Sequence, residues 1–484
     1  MNAFARRRAA LADSMRAQGG GVAVIFTAAE VPRNRDSDFP YRYDSYFHYL
    51  SGFPEPEAAV VIVAGAEATR SLLFCRSKHE EREIWDGFRY GPKAARKKFG
   101  FDEAHPIEEL DAAMPSLLAN RPAIFYSLGA SGELDAHVQR WLSAVRAQAR
   151  AGVGAPYRAL DVTRILDEMR LIKDADEIAI MRKAAVIAAR AHVRAMQHTR
   201  PGRHEYEIEA EILYEFRRSG SPFPAYGSIV AGGANACVLH YRENDARLKD
   251  GDLLLIDAGC EIDGYASDIT RTFPVNGRFS SAQRALYDIV LASQRAAEIA
   301  TRPGARFTEP HDAAVKVLAQ GMLDCKLLKG SLDGVLESGA YRRFYMHRTG
   351  HWLGRDVHDC GDYREPDEEG KPDRQEKHEA RSRRKSKSTE PAGKPWRRLV
   401  PGMVLTIEPG IYVRAADDVP KAFRNIGIRI EDDALVTEGG CELLTSDVPK
   451  AADEIEALMA DAARDLHASS AKDRQPDGSA MQHH

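Results

Sequence analysis

The sequence predicts an α+β domain preceded by a smaller α/β domain. Three observations carry that prediction. Short apolar runs alternate with amphipathic helical stretches up to about residue 150, the texture of an α/β domain. From residue 171 the texture changes to long helices separated by strands with hairpin signals. A chain of 484 residues, 44% of them hydrophobic, has enough apolar surface for two or three separately cored domains. The boundaries that follow are 1–170 for the N-terminal domain, 171–460 for the C-terminal domain and 461–484 for a flexible tail.

In chain order, Phe4 to Gln18 forms a helix, and Val22 to Thr27, Ala58 to Val63 and Ser71 to Cys75 form buried strands. Ile107 to Asn120 has the spacing of an amphipathic helix, Ala123 to Ser127 of a strand and Glu133 to Arg150 of a helix. The aromatic-rich stretch 38–53 is packing, with His48 a packed histidine. Asp174 with Glu177 three residues on is a capping box that starts a helix over Asp176 to Gln197. Pro201-Gly202 ends it, and a second helix covers His204 to Arg218. Ser280 with Gln283 starts a third, and Phe307 to Leu328 holds a fourth. Strands are expected at Ser228 to Ala231, Asp252 to Phe273, Val404 to Val413 and Ile426 to Thr437. The run 364–398 is charged and nearly without aliphatic residues, so it reads as a disordered, solvated insertion in a surface loop.

Composition excludes several classes. The net charge of −4 gives no reason to expect a nucleic-acid partner, and the basic stretch 381–387 reads as a solvated face. Cys75, Cys237, Cys260, Cys325, Cys360 and Cys441 form no CxxC pair and fit free thiols of a reducing compartment. The basic N-terminus is followed by no apolar core of a secretory signal, and no run of about 18 apolar residues exists to span a membrane. A cytoplasmic protein without membrane or nucleic-acid partners is expected.

The chemistry is concentrated in DLLLIDAGCEIDGYASDITRTF, Asp252 to Phe273. Asp263-Gly264 signals a two-residue hairpin turn. Counting outward from it sets Asp257 opposite Thr270, with Asp268 two positions along on the same face. Two carboxylates aimed at one point raise each other's pKa unless a cation lies between them. On this hairpin alone, a metal site and a solvated loop with two exposed aspartates both remain open. Further patches join it: VLHYRE brings His240, HRTGHWLGRDVHD brings His347, His351 and His358, LTIEPGIY brings Glu408, and GIRIEDD sets Arg429 and Glu431 on one strand face. Glu408 and Glu431 interrupt strands that otherwise look buried, and buried carboxylates need partners. Asp257, Asp268, His351, Glu408 and Glu431 together carry a formal charge that two divalent cations neutralise. An oxygen-rich set with one imidazole favours Mn²⁺ over a thiolate-type zinc site. Two such ions sharing one water suit amide hydrolysis.

IDAGCEIDGYASDITRTF, HWLGRDVHD, LTIEPGIY and GIRIEDD, in that order, resemble the pita-bread metallopeptidases. YGSIVAGGANACVLHYREN (226–244) and DFPYRYDSYFHYLSGFPEPEA (38–58) resemble the aminopeptidase P branch of that family. The resemblance covers nearly all of residues 1–460. It implies a pita-bread catalytic domain that removes the N-terminal residue from peptides with proline second. It implies two divalent ions, most often Mn²⁺, with Asp268 and Glu431 bridging them, Asp257 on one, and His351 with Glu408 on the other. Glu408 would also move the proton between the attacking water and the leaving proline nitrogen. His240 and His358 would bind substrate and steady the tetrahedral intermediate, with His347 also in the outer shell. Arg429 would orient ligands and hydrogen-bond around His358. A homo-oligomer, dimer or tetramer, is implied too. Trp85 resembles a segment that reaches a neighbouring subunit's site in tetrameric relatives, its other reading being an ordinary packed tryptophan. Two departures stand out: Cys360 where the family often has an aliphatic residue, and the insertion at the site mouth. The competing functions are a prolidase, with the same fold and metals but dipeptide substrates, and a metal-free pita-bread binding protein or creatinase-type enzyme. All five ligand positions being present disfavours the metal-free readings.

Overall fold

A computed structural model describes residues 2–66, 68–366 and 394–472. The chain divides into two compact units, Met1–Arg170 and Leu171–His484. Among the described residues no helix is long and apolar enough to cross a membrane.

The first unit is built on a six-stranded sheet in the order Glu103–Pro106, Thr69–Cys75, Ala59–Ala64, Gly21–Phe26, Ala123–Tyr126, Arg158–Asp161. Its three central strands pair antiparallel and its outer pairs are parallel. Period-two alternation sends Ala23, Ile25, Val60 and Ile62 to one face, where Leu11, Ala12 and Met15 of the Ala3–Ala17 helix cover them. Val22, Val24, Val61 and Val63 go to the other face, under the Leu110–Leu118 and Gly132–Arg146 helices. Both faces being covered explains why these strands read as unbroken apolar runs. His48 is buried and stacks on Tyr43 with ring centroids 3.6 Å apart, the packed histidine expected. The stretch around it forms a helix, Ser45–Ser51, capped by Asp44. Trp85 is not an ordinary packed residue: it is 85% exposed on the Glu80–Asp86 helix, beside exposed Ile84 and Phe88.

The second unit repeats one plan twice. Helices Ala175–His198 and Glu205–Arg218 precede a hairpin of Leu253–Asp257 and Cys260–Ile262 with Tyr265–Ala266 and Thr270–Pro274. Helices Ser281–Ala300 and Glu309–Asp324 precede a second hairpin, of Val404–Ile407 and Gly410–Val413 with Ile426–Arg429 and Asp432–Thr437. The capping boxes at Asp174 and Glu177 and at Ser280 and Gln283 are both formed. The strands expected over Asp252 to Phe273, Val404 to Val413 and Ile426 to Thr437 are each broken. The halves of each hairpin lie in different sheets. The reason is local: at each break two or three residues turn out of the ladder, and Asp268, Glu408 and Glu431 lie within breaks while Asp257 ends the strand before one.

Residues 367–393 of the expected insertion lie outside the described residues. Its ends are ordered, which corrects the boundary at 364–398. Arg364 bridges Trp396, the Glu365 amide donates to the Pro395 carbonyl at 2.9 Å, and the Arg397 amide donates to the Tyr363 carbonyl at 2.9 Å. Such a ladder uses backbone groups alone, so composition did not reveal it. The boundary expected at 461 falls inside the last helix, Ala452–Lys472, and residues 473–484 lie outside the described residues.

Candidate metal centre

The first hairpin turns as its sequence dictates. Asp263 and Gly264 have φ of 49° and 77°, the two left-handed residues that a tight hairpin turn requires. The register places Asp257 opposite Thr270, as counted from the turn. At the break Gly259 lets the arms close: a Cβ there would lie 1.7 Å from the Ser267 carbonyl oxygen. Asp257 and Asp268 face one point, where the Tyr226 hydroxyl lies 2.6 Å from an oxygen of each. Burial and the neighbouring carboxylates push the Tyr226 phenol well above its ordinary value, so it keeps its one proton and donates to one aspartate at a time.

The second hairpin keeps a single register through its break, pairing Ile407 with Asp432 and Gly410 with Arg429. Glu408 and Glu431 therefore face each other across it. Glu431 joins the two hairpins, because its amide donates to the Thr270 carbonyl at 3.0 Å and its Oε2 accepts from Thr270 Oγ1 at 2.6 Å. His351 is fixed from the side. Its Nδ1–H donates to the Trp352 carbonyl at 3.0 Å, which leaves Nε2 facing Asp268 at 3.4 Å and Glu408 at 3.8 Å. Ligand atoms of Asp268, His351 and Glu431 lie within 4.8 Å of one another. A buried ion pair, Lys173 to Asp359 at 3.0 Å, anchors the loop that carries His351 and His358.

The charge balance of this cluster calls for cations. Burial pushes Glu431 well above the usual carboxylate range, raises Asp257 and brings Glu408 up to about 7. Asp268 is lowered, since its hydrogen bond and charge attraction to His351 outweigh its burial. His351 is correspondingly raised to about 9, its burial outweighed by Asp268 and Glu408. Two basic groups, His351 and Arg429, thus face four carboxylates. Hard oxygen donors with one oriented imidazole are a donor set that divalent cations fit.

The outer residues divide. Arg429 donates to Asp257 Oδ2 at 2.5 Å, to Thr270 Oγ1 at 3.1 Å and to the Tyr412 hydroxyl at 3.1 Å. Tyr412 in turn donates to His347 Nε2 at 2.8 Å, and His347 Nδ1–H donates to the Arg348 carbonyl at 2.7 Å. Arg429 therefore orders His347, and its three donor groups do not go to His358 as expected. Burial and the charge of Arg429 bring His347 down to about 3, so it stays neutral as this chain of donors requires. His358 stacks on His351 with ring centroids 4.0 Å apart and is exposed to the cavity. His240 is exposed on the wall of the same cavity, which holds about 1000 Å³ and is lined by all five acidic and imidazole ligand candidates. Sequence reasoning missed Tyr226, Tyr412, Lys173 and Asp359 as parts of the site. Tyr226 and Tyr412 carried no usable signal, since a tyrosine beside a glycine or in a β-type run is ordinarily core. Lys173 and Asp359 meet across 186 residues of chain, which no spacing rule reaches.

Comparison with known proteins identifies the family of the chain. The pattern of metallopeptidase family M24 matches residues 179–438, and that of the aminopeptidase P N-terminal domain matches residues 4–126. The Xaa-Pro aminopeptidase of Escherichia coli (strain K12) is 43% identical over 457 residues, covering 94% of this chain and 97% of its own length. The solved structure of Pseudomonas aeruginosa aminopeptidase PepP superposes with a TM-score of 0.88 at 47% identity, over 95% of this chain and 98% of that one. A zinc-substituted Escherichia coli aminopeptidase P in complex with product gives 0.86 at 42% identity, over 95% and 98%.

Proposed function

The chain belongs to metallopeptidase family M24, and we propose on that premise that it acts as an Xaa-Pro aminopeptidase, releasing the N-terminal residue from peptides whose second residue is proline. It is a metal-dependent hydrolase of peptides. The observation that supports the site assignment best is the convergence of four carboxylates and one oriented imidazole at two hairpin breaks.

In this reading Asp257, Asp268, His351, Glu408 and Glu431 would hold two divalent cations, most often Mn²⁺. Bound there, the cations supply Lewis-acid polarisation of the scissile carbonyl and a water acidic enough to ionise near neutral pH. Glu408 takes the proton of the attacking water and returns it to the proline nitrogen. With no cation bound, burial brings its carboxyl up to about 7, and its contacts to His347 and His351 are long, at 3.7 and 3.8 Å, which leaves it free of short hydrogen bonds that would tie up the proton-carrying oxygen. Tyr226 holds the two aspartates in one orientation. His240 and His358, both facing the cavity, bind the peptide and stabilise charge on its carbonyl oxygen. His347, kept neutral by Arg429 through Tyr412, is oriented rather than titrating. The free amine of the substrate sits against an acidic ligand, which is why an internal peptide segment is not a substrate. Assembly as a homo-oligomer, with the exposed Trp85 tip at a subunit contact, belongs to the same reading.

The test is hydrolysis of Arg-Pro-Pro beside Gly-Pro by chelated protein refilled with Mn²⁺. Cleavage of the tripeptide at its first bond with the dipeptide slow is expected. Fast dipeptide cleavage without tripeptide cleavage would make the protein a prolidase.

A further inference from the structure

The ordered stem of the insertion enters the wall of the candidate active-site cavity. Trp396, on that stem, lines the cavity together with Arg348, Phe307 and Tyr363. The Arg364 guanidinium lies 3.4 Å from the centre of the Trp396 ring, and the Arg348 guanidinium lies 4.7 Å from it. Two cations thus flank one indole, and of the two Arg348 lines the cavity. The stem is held in place from below: Arg306 Nη1 donates to the Trp396 carbonyl at 2.6 Å, and Arg364 Nη1 donates to the Lys394 carbonyl at 3.0 Å. Arg348 is exposed, and among the described residues its guanidinium has no carboxylate within ion-pair distance. His311 and Tyr363 each feel its positive charge.

We propose that Arg348 and Trp396, the indole braced by Arg364 from the stem, form a subsite for a peptide carboxylate on the leaving side of the scissile bond. The inference rests on the aminopeptidase reading above. An enzyme that removes one residue seats one residue on the amine side, so every further contact along the cavity falls on the peptide after the proline. A guanidinium held flat against an indole is desolvated on one face and presents its in-plane N–H groups outward, the geometry that receives a carboxylate in bidentate fashion. The carboxylate comes either from the C-terminus of a short peptide or from an acidic side chain after the proline. Phe307 and Tyr363 supply the apolar wall along which the intervening residue lies.

Three substrates separate the sources: Ala-Pro-Ala with a free carboxylate, the same peptide as its amide, and Ala-Pro-Asp amide. For the full-length metal-loaded enzyme, the free acid is expected to exceed the neutral amide in kcat/KM by about tenfold, the scale of one charge-assisted hydrogen bond in a half-open site. In Arg348→Gln and Arg364→Gln the acid-to-amide ratio is expected to fall toward one, and Trp396→Phe, which keeps a ring, to retain most of it. If Ala-Pro-Asp amide is as fast as the free acid, a side-chain carboxylate serves the same subsite. If it matches the neutral amide, the subsite takes the C-terminus. A ratio near one in the wild type, or a ratio retained in both arginine variants, overturns the proposal. Absence of turnover on all three peptides would speak against the aminopeptidase reading instead. The subsite is then read from the ratio of dissociation constants of the same peptides by calorimetry, with the same outcomes deciding it.

Discussion

The two hairpins of the C-terminal unit each deliver two carboxylates to one point, but they hold them differently. On the first, Asp257 and Asp268 share the single proton of the Tyr226 hydroxyl, Asp257 also accepts from Arg429, and Asp268 faces His351. On the second, Glu431 accepts from Thr270, and the groups nearest Glu408 are two imidazoles at 3.7 and 3.8 Å. The aspartates, with shorter side chains, are pinned by short hydrogen bonds. Glu408, one methylene longer, is positioned through its backbone, whose amide donates to the Thr349 carbonyl at 2.8 Å. One hairpin therefore pins its carboxylates through their side chains, and the other leaves the Glu408 side chain with longer contacts. The same broken-hairpin plan yields a holding arm and a working arm.

The largest expected effect breaks the holding arm. Asp268→Asn removes charge and a coordinating oxygen at the centre of the cluster, and is expected to abolish turnover and lower metal content by elemental analysis. Near-normal turnover would overturn the proposed role of Asp268 as a metal ligand. Next comes the working arm: Glu408→Gln is expected to lower kcat by about 100- to 10 000-fold, as loss of a proton carrier does, while keeping at least one metal equivalent. Metal loss as complete as in Asp268→Asn would erase the distinction between the arms. A smaller effect tests how the aspartates are pinned. Tyr226→Phe removes the hydroxyl between them and is expected to cost about 10- to 100-fold in metal affinity or activity. An unchanged metal titration would show that Arg429 and His351 suffice.

These differences mark how far the sequence could be read. The first hairpin was legible because Asp263-Gly264 fixes both turn and register, and period two then places Asp257 and Asp268. In the second hairpin the strands are separated by residues 414–425, so no turn rule gives the register that sets Glu408 against Glu431. Glu408 and Glu431 were found as charges interrupting apolar strands, and their mutual position needed coordinates. The breaks themselves were missed, because a strand that leaves one sheet for another keeps its alternation while losing its neighbour. Arg429 was placed correctly on the strand face of the site but assigned the wrong histidine, since Tyr412 intervenes and nothing in LTIEPGIY marks that hydroxyl as a relay. The edge strands Glu103–Pro106 and Arg158–Asp161 of the N-terminal sheet were also missed, being short, half-buried and without β-branched runs.

The smallest expected effect sharpens the comparison through acid. Beneath the first hairpin, fully buried His192 donates from Nε2 to the Ala258 carbonyl at 3.0 Å, and its Nδ1 has no hydrogen-bond partner among the described residues. A proton added at Nδ1 would find no acceptor, and burial brings the imidazole down to about 4 from its ordinary 6.5. The unfolded chain then binds more protons than the folded one between those values. Stability is unaffected above pH 6.5 and falls as the pH drops, and the loss levels off below pH 4 at about 3 kcal/mol. On the second hairpin, buried Asp432 accepts from Arg271 of the first hairpin and from Gln294, Thr445 and Lys450 at 2.7 to 2.9 Å. Attraction to Arg271 and Lys450 outweighs its burial and holds it below the usual carboxylate value. Its contribution therefore survives until the pH falls through that lowered value. Acidification of chelated protein should thus loosen residues 253–274 before 426–437, seen as earlier loss of amide-exchange protection between pH 6.5 and 4. In His192→Gln, which keeps a donor and has no titrating ring, the slope of stability with pH across that window should flatten. Simultaneous loss in both hairpins would show that they unfold as one cooperative unit, with the cost of protonating His192 shared by the whole domain.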